Sequence, residues 1–222
     1  AIVQANALLE EDLQDPGQRR LAQMVQQNAD RLARIAEEVL DIARVQHQIN
    51  HAPGATLALD ASVAQVWSDW SSQDPARRRG QVSLETSMVQ VEFDPEHLRR
   101  VLVNLLDNAL RYMGPEEDSL VVQTRTSPAG QTTLQVWSDG APMDKSVERH
   151  LFEPFFSSES RSSGLGLYIC RELCQRHGAS ISYQRATRDT ERGKVGGNAF
   201  TVAFRRTTRP VEPATLFDSI VI

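Results

Sequence analysis

Lysine is nearly missing from this chain: Lys145 and Lys194 stand alone, and arginine supplies the other 22 of the 24 cations, scattered rather than striped. With 29 acidic residues the formal net charge is −5. That leaves no basic excess to neutralise phosphates, which argues against duplex nucleic acid as a partner. Cysteine is almost as scarce, with Cys170 and Cys174 alone. Four apart on one expected helix, their Cβ atoms would lie about 5–6 Å apart and point in parallel, which suits packing better than a disulfide. His177 completes a C-x3-C-x2-H pattern, but no fourth ligand stands near it, so packing is again the better reading. A reducing compartment, the cytoplasm, is expected. Long apolar runs are lacking too. Stretches such as Val101 to Leu106 are broken by Asn or Asp, far short of the ~20 residues that cross a bilayer. No basic segment followed by an apolar one opens the chain, and no internal repeat is visible. The chain starts in helical sequence without Met, so an excised piece is expected, with any membrane anchor or sensor region upstream.

What is present suits a folded protein. Apolar residues make up 40% and charged residues 24% of 222 residues, enough for one large domain or one domain with a helical appendage. Leu21, Val25, Asn28, Leu32, Ile35, Val39 and Ile42 follow one another in steps of four and three, a heptad seam that buries itself against other helices. Ile2, Ala5, Leu8 and Leu9 mark a shorter helix before it, and Asp15-Pro16-Gly17 separates the two. The expectation is an antiparallel helical hairpin that joins a second copy in a four-helix bundle, with packing back on its own chain as the alternative. Asn28 in that seam would fix the register.

At His51-Ala52-Pro53-Gly54 the helical pattern ends. Strand-like stretches then appear at 56–59, 81–86, 89–93, 119–126, 132–138, 180–185 and 199–205, between helical ones at 59–72, 95–113 and 165–177. Pairs joined by short turns, as at Ser127-Pro128-Ala129-Gly130, predict antiparallel pairing in an α+β fold, a two-layer sandwich with helices on one face. The expected organisation is a hairpin over 1–50, a domain over 51–206 and a tail over 207–222.

The residues that carry chemistry come in a definite order. Asn104 and Asn108 lie one turn apart at the border of the core side of a helix, with Arg111 and Tyr112 in the next turn. Amide side chains there can ligate a hard cation through oxygen, or form an ordinary solvated face. A strand ends at Ser138-Asp139-Gly140-Ala141-Pro142, where small residues let backbone approach a flat ligand. Leu151-Phe152-Glu153-Pro154-Phe155-Phe156 and the serine-rich stretch Ser157 to Ser163 lead into Gly164-Leu165-Gly166-Leu167 at a helix start, where free N–H groups attract an anion.

This succession resembles the catalytic end of bacterial sensor histidine kinases, whose ATPase fold (Bergerat type, GHKL) is shared with type II topoisomerases. Asn104 to Ala109 is similar to the family's N box, Phe152 to Phe156 to its F box, and Gly164 to Leu167 to its second glycine box. Gly196-Gly197-Asn198-Ala199-Phe200 is similar to the closing Gly-Gly-x-x-Phe strand, and the likeness covers about Phe93 to Phe204. The resemblance implies ATP and Mg²⁺ as cofactors. It implies that Asn108, with Asn104 beside it, holds the metal, that Arg111 and Tyr112 meet the phosphates, and that Gly164 and Gly166, flanked by Ser163, Leu165 and Leu167, shape the phosphate turn. The serines become a mobile lid, which Phe155 and Phe156 would anchor by burial. Residues 1–48 resemble the dimerisation and phosphotransfer hairpin, which implies a homodimer and a response-regulator receiver domain as partners. Membrane attachment would come only from upstream segments.

Two positions depart from the pattern. Where the family has Asp-x-Gly-x-Gly, whose Asp accepts from the adenine amino group, Ser138 takes the Asp place, Asp139 is one residue late and Pro142 replaces a glycine. A one-residue offset turns a side chain to the other face of a strand. Three outcomes are open: Ser138 or a water accepts from adenine, Asp139 reaches round, or binding is weak. Moreover, none of His47, His51, His97, His150 and His177 sits in the family's phosphoacceptor setting on the first helix, and Ala1-Ile2 resembles the tail of that box. This chain by itself is not expected to phosphorylate itself. A catalytic fragment of a sensor kinase is the first reading, and a binding module with a decayed nucleotide site is the second. A water-activating ATPase finds no support, because Asn104 stands where that chemistry places a Glu.

Overall fold

The computed structural model describes residues 13–47, 56–86, 88–156 and 164–205. The shorter first helix, the boundary at 51–54, the serine-rich stretch and the tail lie outside them. By its internal contacts the chain forms two compact units, residues 1–52 with 143–173, and residues 53–142 with 174–222.

In the first unit α1 runs Pro16–His47. The Asp15-Pro16-Gly17 break is a helix start: Asp15 Oδ1 accepts from Gln18 N at 2.9 Å, and Pro16 fills the first turn, where its missing N–H costs nothing. Leu21, Val25, Asn28 and Leu32 of the seam are exposed, and the exposed apolar stripe is widened by Met24. Asn28 Nδ2 donates back to Met24 O at 2.8 Å. A short helix, α4 (Lys145–His150), which the sequence pattern did not predict, precedes the aromatic segment. The start of α5 (Gly166–Arg176) closes the unit.

The second unit is a sheet covered on one face by helices. β1 (Thr56–Ala58) and β3 (Gln90–Glu92) form a small antiparallel pair. The main sheet is built from β2 (Gln81–Leu84), β4 (Leu120–Thr126), β5 (Thr132–Ser138), β6 (Ser180–Thr190) and β7 (Gly193–Ala203), in the order β2-β4-β5-β7-β6. The pairing is antiparallel except that β2 runs parallel to β4, which corrects the all-antiparallel expectation. The connection from β2 to β4 contains a whole helix, and a crossover of that kind returns the chain in the same direction.

That helix is α3 (Pro95–Tyr112). Asp94 caps it, accepting from His97 N at 3.0 Å, and Pro95 occupies its first turn. Leu98, Val101, Leu102, Leu105, Leu106 and Ala109 recur at helical spacing and are buried. They pack with Leu59, Val63, Val66 and Trp70 of α2 (Leu59–Ser72) and with Leu120, Val122, Leu134 and Val136 of the sheet. Full burial of each such side chain contributes about 1.5–3 kcal/mol. Asp60 in the first turn of α2 pins the layers together, accepting from Thr86 N at 2.8 Å, from Thr124 Oγ1 at 2.6 Å and from Thr86 Oγ1.

The other face of the sheet carries a second, smaller core of Val121, Trp137 and Ala199, flanked by Ala186 and Val195. It exists because β6 and β7 extend beyond the predicted 180–185 and 199–205, pairing as far as Thr190 with Gly193. Gly197 makes the close packing possible: a Cβ there would lie 2.3 Å from the Trp137 ring and 2.4 Å from Ser138 O. Trp137 Nε1 donates to Ala186 O at 2.9 Å.

Candidate nucleotide site

On the helix-facing side of the sheet the register sets Leu120, Ser138, Asn198 and Arg185 in one row. This row ends the core beside the last turn of α3. Gly140 comes so close to that turn that a Cβ would meet Tyr112 O at 2.8 Å. Thus Ser138, Asp139, Gly140 and Tyr112, separate in sequence, are brought together. Asn104 and Asn108 lie on a partly exposed flank of α3, and among the described residues no hydrogen bond engages either amide. Arg111 is exposed. Between the asparagines, Asp107 is put to another use. It accepts from Trp70 Nε1 at 2.8 Å and pairs with Arg77 at 3.4 Å, on the flank where a cleft of about 230 Å³ opens between α2 and α3.

Asp139 does not reach round into the row. Its carboxylate accepts from Gly114 N at 2.8 Å, from Ser119 Oγ at 2.8 Å and from Arg192 Nη2 at 2.9 Å. Arg192 also meets Asp118 Oδ1 at 2.6 Å. Burial works against the charge of Asp139, but these donors outweigh it and hold the carboxyl below its usual range. The clamp ties the β6–β7 turn to the loop that follows α3. Arg192 had no sequence signal, because it sits in a polar turn.

Asn198, in the Gly-Gly-x-x-Phe segment, is a buried polar side chain whose role sequence reasoning missed. Its Nδ2 donates to Ala141 O at 2.9 Å, while its Oδ1 accepts from Tyr183 Oη at 2.9 Å and Arg185 Nη1 at 3.0 Å. Arg185 Nη1 also donates to Gly140 O at 2.6 Å. The turn after β5 is therefore held by side chains, not only by Pro142.

In the first unit, Phe155 and Phe156 depart from the expectation of joint burial. Phe155 is 66% exposed and has a φ of +62°, a left-handed conformation that costs an L residue ~1–2 kcal/mol. Phe156 is half-buried, with its ring 5.4 Å from that of His150. Gly164 explains the distortion: at φ +72° it lies against this backbone so closely that a Cβ would come within 2.6 Å of Phe155 C and Phe156 O. Leu165 is buried, Gly166 and Leu167 are partly exposed, and Leu165 O accepts from Ile169 N at 2.9 Å to start α5. Ser163 lies outside the described residues.

Cys170 and Cys174 are free and buried, and burial pushes the Cys174 thiol up to about 12. His177 meets His97 in a ring-nitrogen contact of 2.8 Å and stacks on Phe93. Burial, then the neighbouring His97, push His177 down to about 4. No helix among the described residues is long and apolar enough to cross a membrane.

Comparison with known proteins bears on the family and the fold. Residues 93–208 match the family described as histidine kinase-, DNA gyrase B- and HSP90-like ATPase. The chain is 32% identical over 212 residues to the sensor protein kinase PilS of Pseudomonas aeruginosa, covering 92% of this chain and 37% of that one. It is 28% identical over 190 residues to the sensory histidine kinase/phosphatase NtrB of Salmonella typhimurium, covering 81% and 52%. The chain thus spans little more than a third of PilS. Among solved structures it is similar in fold to the Acinetobacter baumannii histidine kinase AdeS, with a TM-score of 0.63 at 19% identity, covering 92% of this chain and 93% of that one. It is also similar to the catalytic domain of histidine kinase ThkA, with a TM-score of 0.57 at 22% identity, covering 70% and 97%. The order of motifs, the α+β sandwich and these matches together place the chain in the histidine kinase-, gyrase B- and HSP90-like ATPase family, as the ATP-binding domain of a sensor histidine kinase.

Proposed function

We propose that this chain binds ATP and directs its γ-phosphoryl group to a histidine on a helix preceding it, from which an aspartate of a response-regulator receiver domain takes it. The observation that carries this reading is the pair Asn104 and Asn108, with disengaged amides on one flank of the helix whose last turn meets Gly140. Their amide oxygens suit a hard cation, so Mg²⁺ fits this donor set; when bound it supplies charge neutralisation for the phosphates. Arg111 adds a mobile cation and Tyr112 a phenol for the same phosphates. In the first unit Gly164 and Gly166, with Leu165 and Leu167 beside them and Phe155 and Phe156 before them, are the residues that the resemblance assigns to a phosphate turn with free backbone N–H groups. Ser138, Asp139 and Gly140 form the base end, Asp139 acting there through its clamp. A histidine nitrogen attacks the γ-phosphorus, the bond to the β-phosphate oxygen breaks, and ADP leaves. Positioning and charge do most of the catalytic work.

Leu21, Val25 and Leu32 of the seam are exposed, with Met24 beside them, which suits a homodimer through the helical hairpin. A cytoplasmic setting suits the two reduced thiols. Calorimetric titration of the full chain with ATP and Mg²⁺ tests the reading. Binding is expected, N108A should abolish its Mg²⁺ dependence, and no heat at millimolar nucleotide would remove the enzyme assignment. Radiolabel from ATP should appear on a histidine-bearing hairpin supplied in trans; label on this chain alone would contradict the absence of a phosphoacceptor. A second reading, a binding module retained for dimerisation or regulator docking, is favoured by one observation: a hydroxyl, not a carboxylate, stands at Ser138.

A further inference from the structure

We propose that Ser138 makes the base end of the nucleotide site indifferent to the group at purine C6, so that 6-amino and 6-oxo purine nucleoside triphosphates are both accepted. The inference rests on the nucleotide reading above and deepens it.

Three observations converge on this position. Ser138 is 5% exposed, lies between Leu120 and Asn198 in the row on the helix-facing side of the sheet, and among the described residues has no hydrogen-bond partner for its hydroxyl. Its hydroxyl is thus free to turn toward a ligand. The nearest carboxylate, Asp139, spends both oxygens on Gly114, Ser119 and Arg192. The neighbouring amide, Asn198, is held by Ala141, Tyr183 and Arg185. Ser138 is therefore the side chain at this end of the row left to read a base edge.

The chemistry of that reader decides what it tolerates. An ionised carboxylate only accepts, so it rewards an amino group and repels a carbonyl. A hydroxyl rotates: its lone pairs accept from an amino group, and its proton donates to a carbonyl oxygen. A site built around a fixed acceptor discriminates strongly, and one built around a hydroxyl does not.

The experiment compares ATP with ITP, which replaces the 6-amino group by 6-oxo, each titrated with Mg²⁺ into the full 222-residue chain. The two affinities are expected within about threefold of each other, and S138D should shift their ratio toward ATP by roughly 10- to 100-fold. S138A, which serves if S138D does not fold, should weaken both nucleotides by a similar factor. Binding of ATP with ITP excluded more than about tenfold overturns the inference and leaves the nucleotide reading standing. An unchanged ratio in folded S138D, or unchanged affinities in S138A, overturns it as well. Failure of the wild-type chain to bind either nucleotide overturns the nucleotide reading, and the inference falls with it.

Discussion

Gly196 and Gly197 are adjacent in β7, yet replacing each by alanine should have opposite consequences. At Gly197 the added Cβ would sit 2.3 Å from Trp137 Cε2, 2.5 Å from Cζ2 and 2.4 Å from Ser138 O, where relaxed contacts need about 3.5–4.0 Å. Neither obstacle yields easily. One is backbone in the central strand, and the other is a ring with no exposed surface, tethered through Nε1 to Ala186 O. Relief requires the strands to part or the ring to swing out and lose its hydrogen bond, worth ~1 kcal/mol, on top of ~1–3 kcal/mol for overpacking. The expected destabilisation is about 2–4 kcal/mol. At Gly196 the nearest atom is Arg185 Nη2, the tip of a flexible side chain, at 3.4 Å. There the loss of unfolded-state freedom should leave stability unchanged or raise it by ~0.5 kcal/mol. Urea unfolding followed by tryptophan fluorescence measures both, and for a domain of this size G197A should lower Tm by about 4–16 °C. Equal stabilities for the two variants would refute the claim that Trp137 dictates glycine in this strand.

Removing the guanidinium with R192A should leave the fold intact but weaken ATP affinity by several-fold, because the loop after α3 loses its tie to the β6–β7 turn; calorimetry against circular dichroism separates the two effects. Stability should fall with acid through the His97–His177 pair. His177 drops from 6.5 when unfolded to about 4 when folded, so its contribution is full above about 6.5 and is lost as the pH falls through about 4. Asp94 opposes this shift and Arg176 assists it, and H97N should flatten the melting profile over that range. Cys174, pushed up to about 12, should resist alkylation at pH 8 until the chain is unfolded.

Much of this was legible in the residues. Helix periodicity located α2, α3 and α5 within a residue or two, and the succession of amide pair, strand-end turn and glycine-bent helix start pointed to the family that the comparisons show. What escaped has physical reasons. The parallel alignment of β2 with β4 follows from a crossover, which no local pattern encodes. The long ends of β6 and β7 read as polar, with Arg188, Asp189, Glu191 and Lys194, because one face is solvated and the other covers only Trp137. Face alternation warned that Asp139 would turn away from the row, but its three partners come from distant segments and were invisible to spacing. The exposure of Phe155 was hidden because aromatic residues in a row read as core, whereas packing against Gly164 bends the backbone and turns one ring outward.

The tie between Arg192 and Asp139 spans 53 residues and draws on the last hairpin turn among the described residues. During synthesis the asparagine-bearing helix and its neighbouring strands emerge well before that turn. An incomplete chain therefore leaves the Asp139 carboxylate with Gly114 N and Ser119 Oγ as donors but without its cation. The turn after β5 is therefore fixed late, once the closing hairpin has left the ribosome.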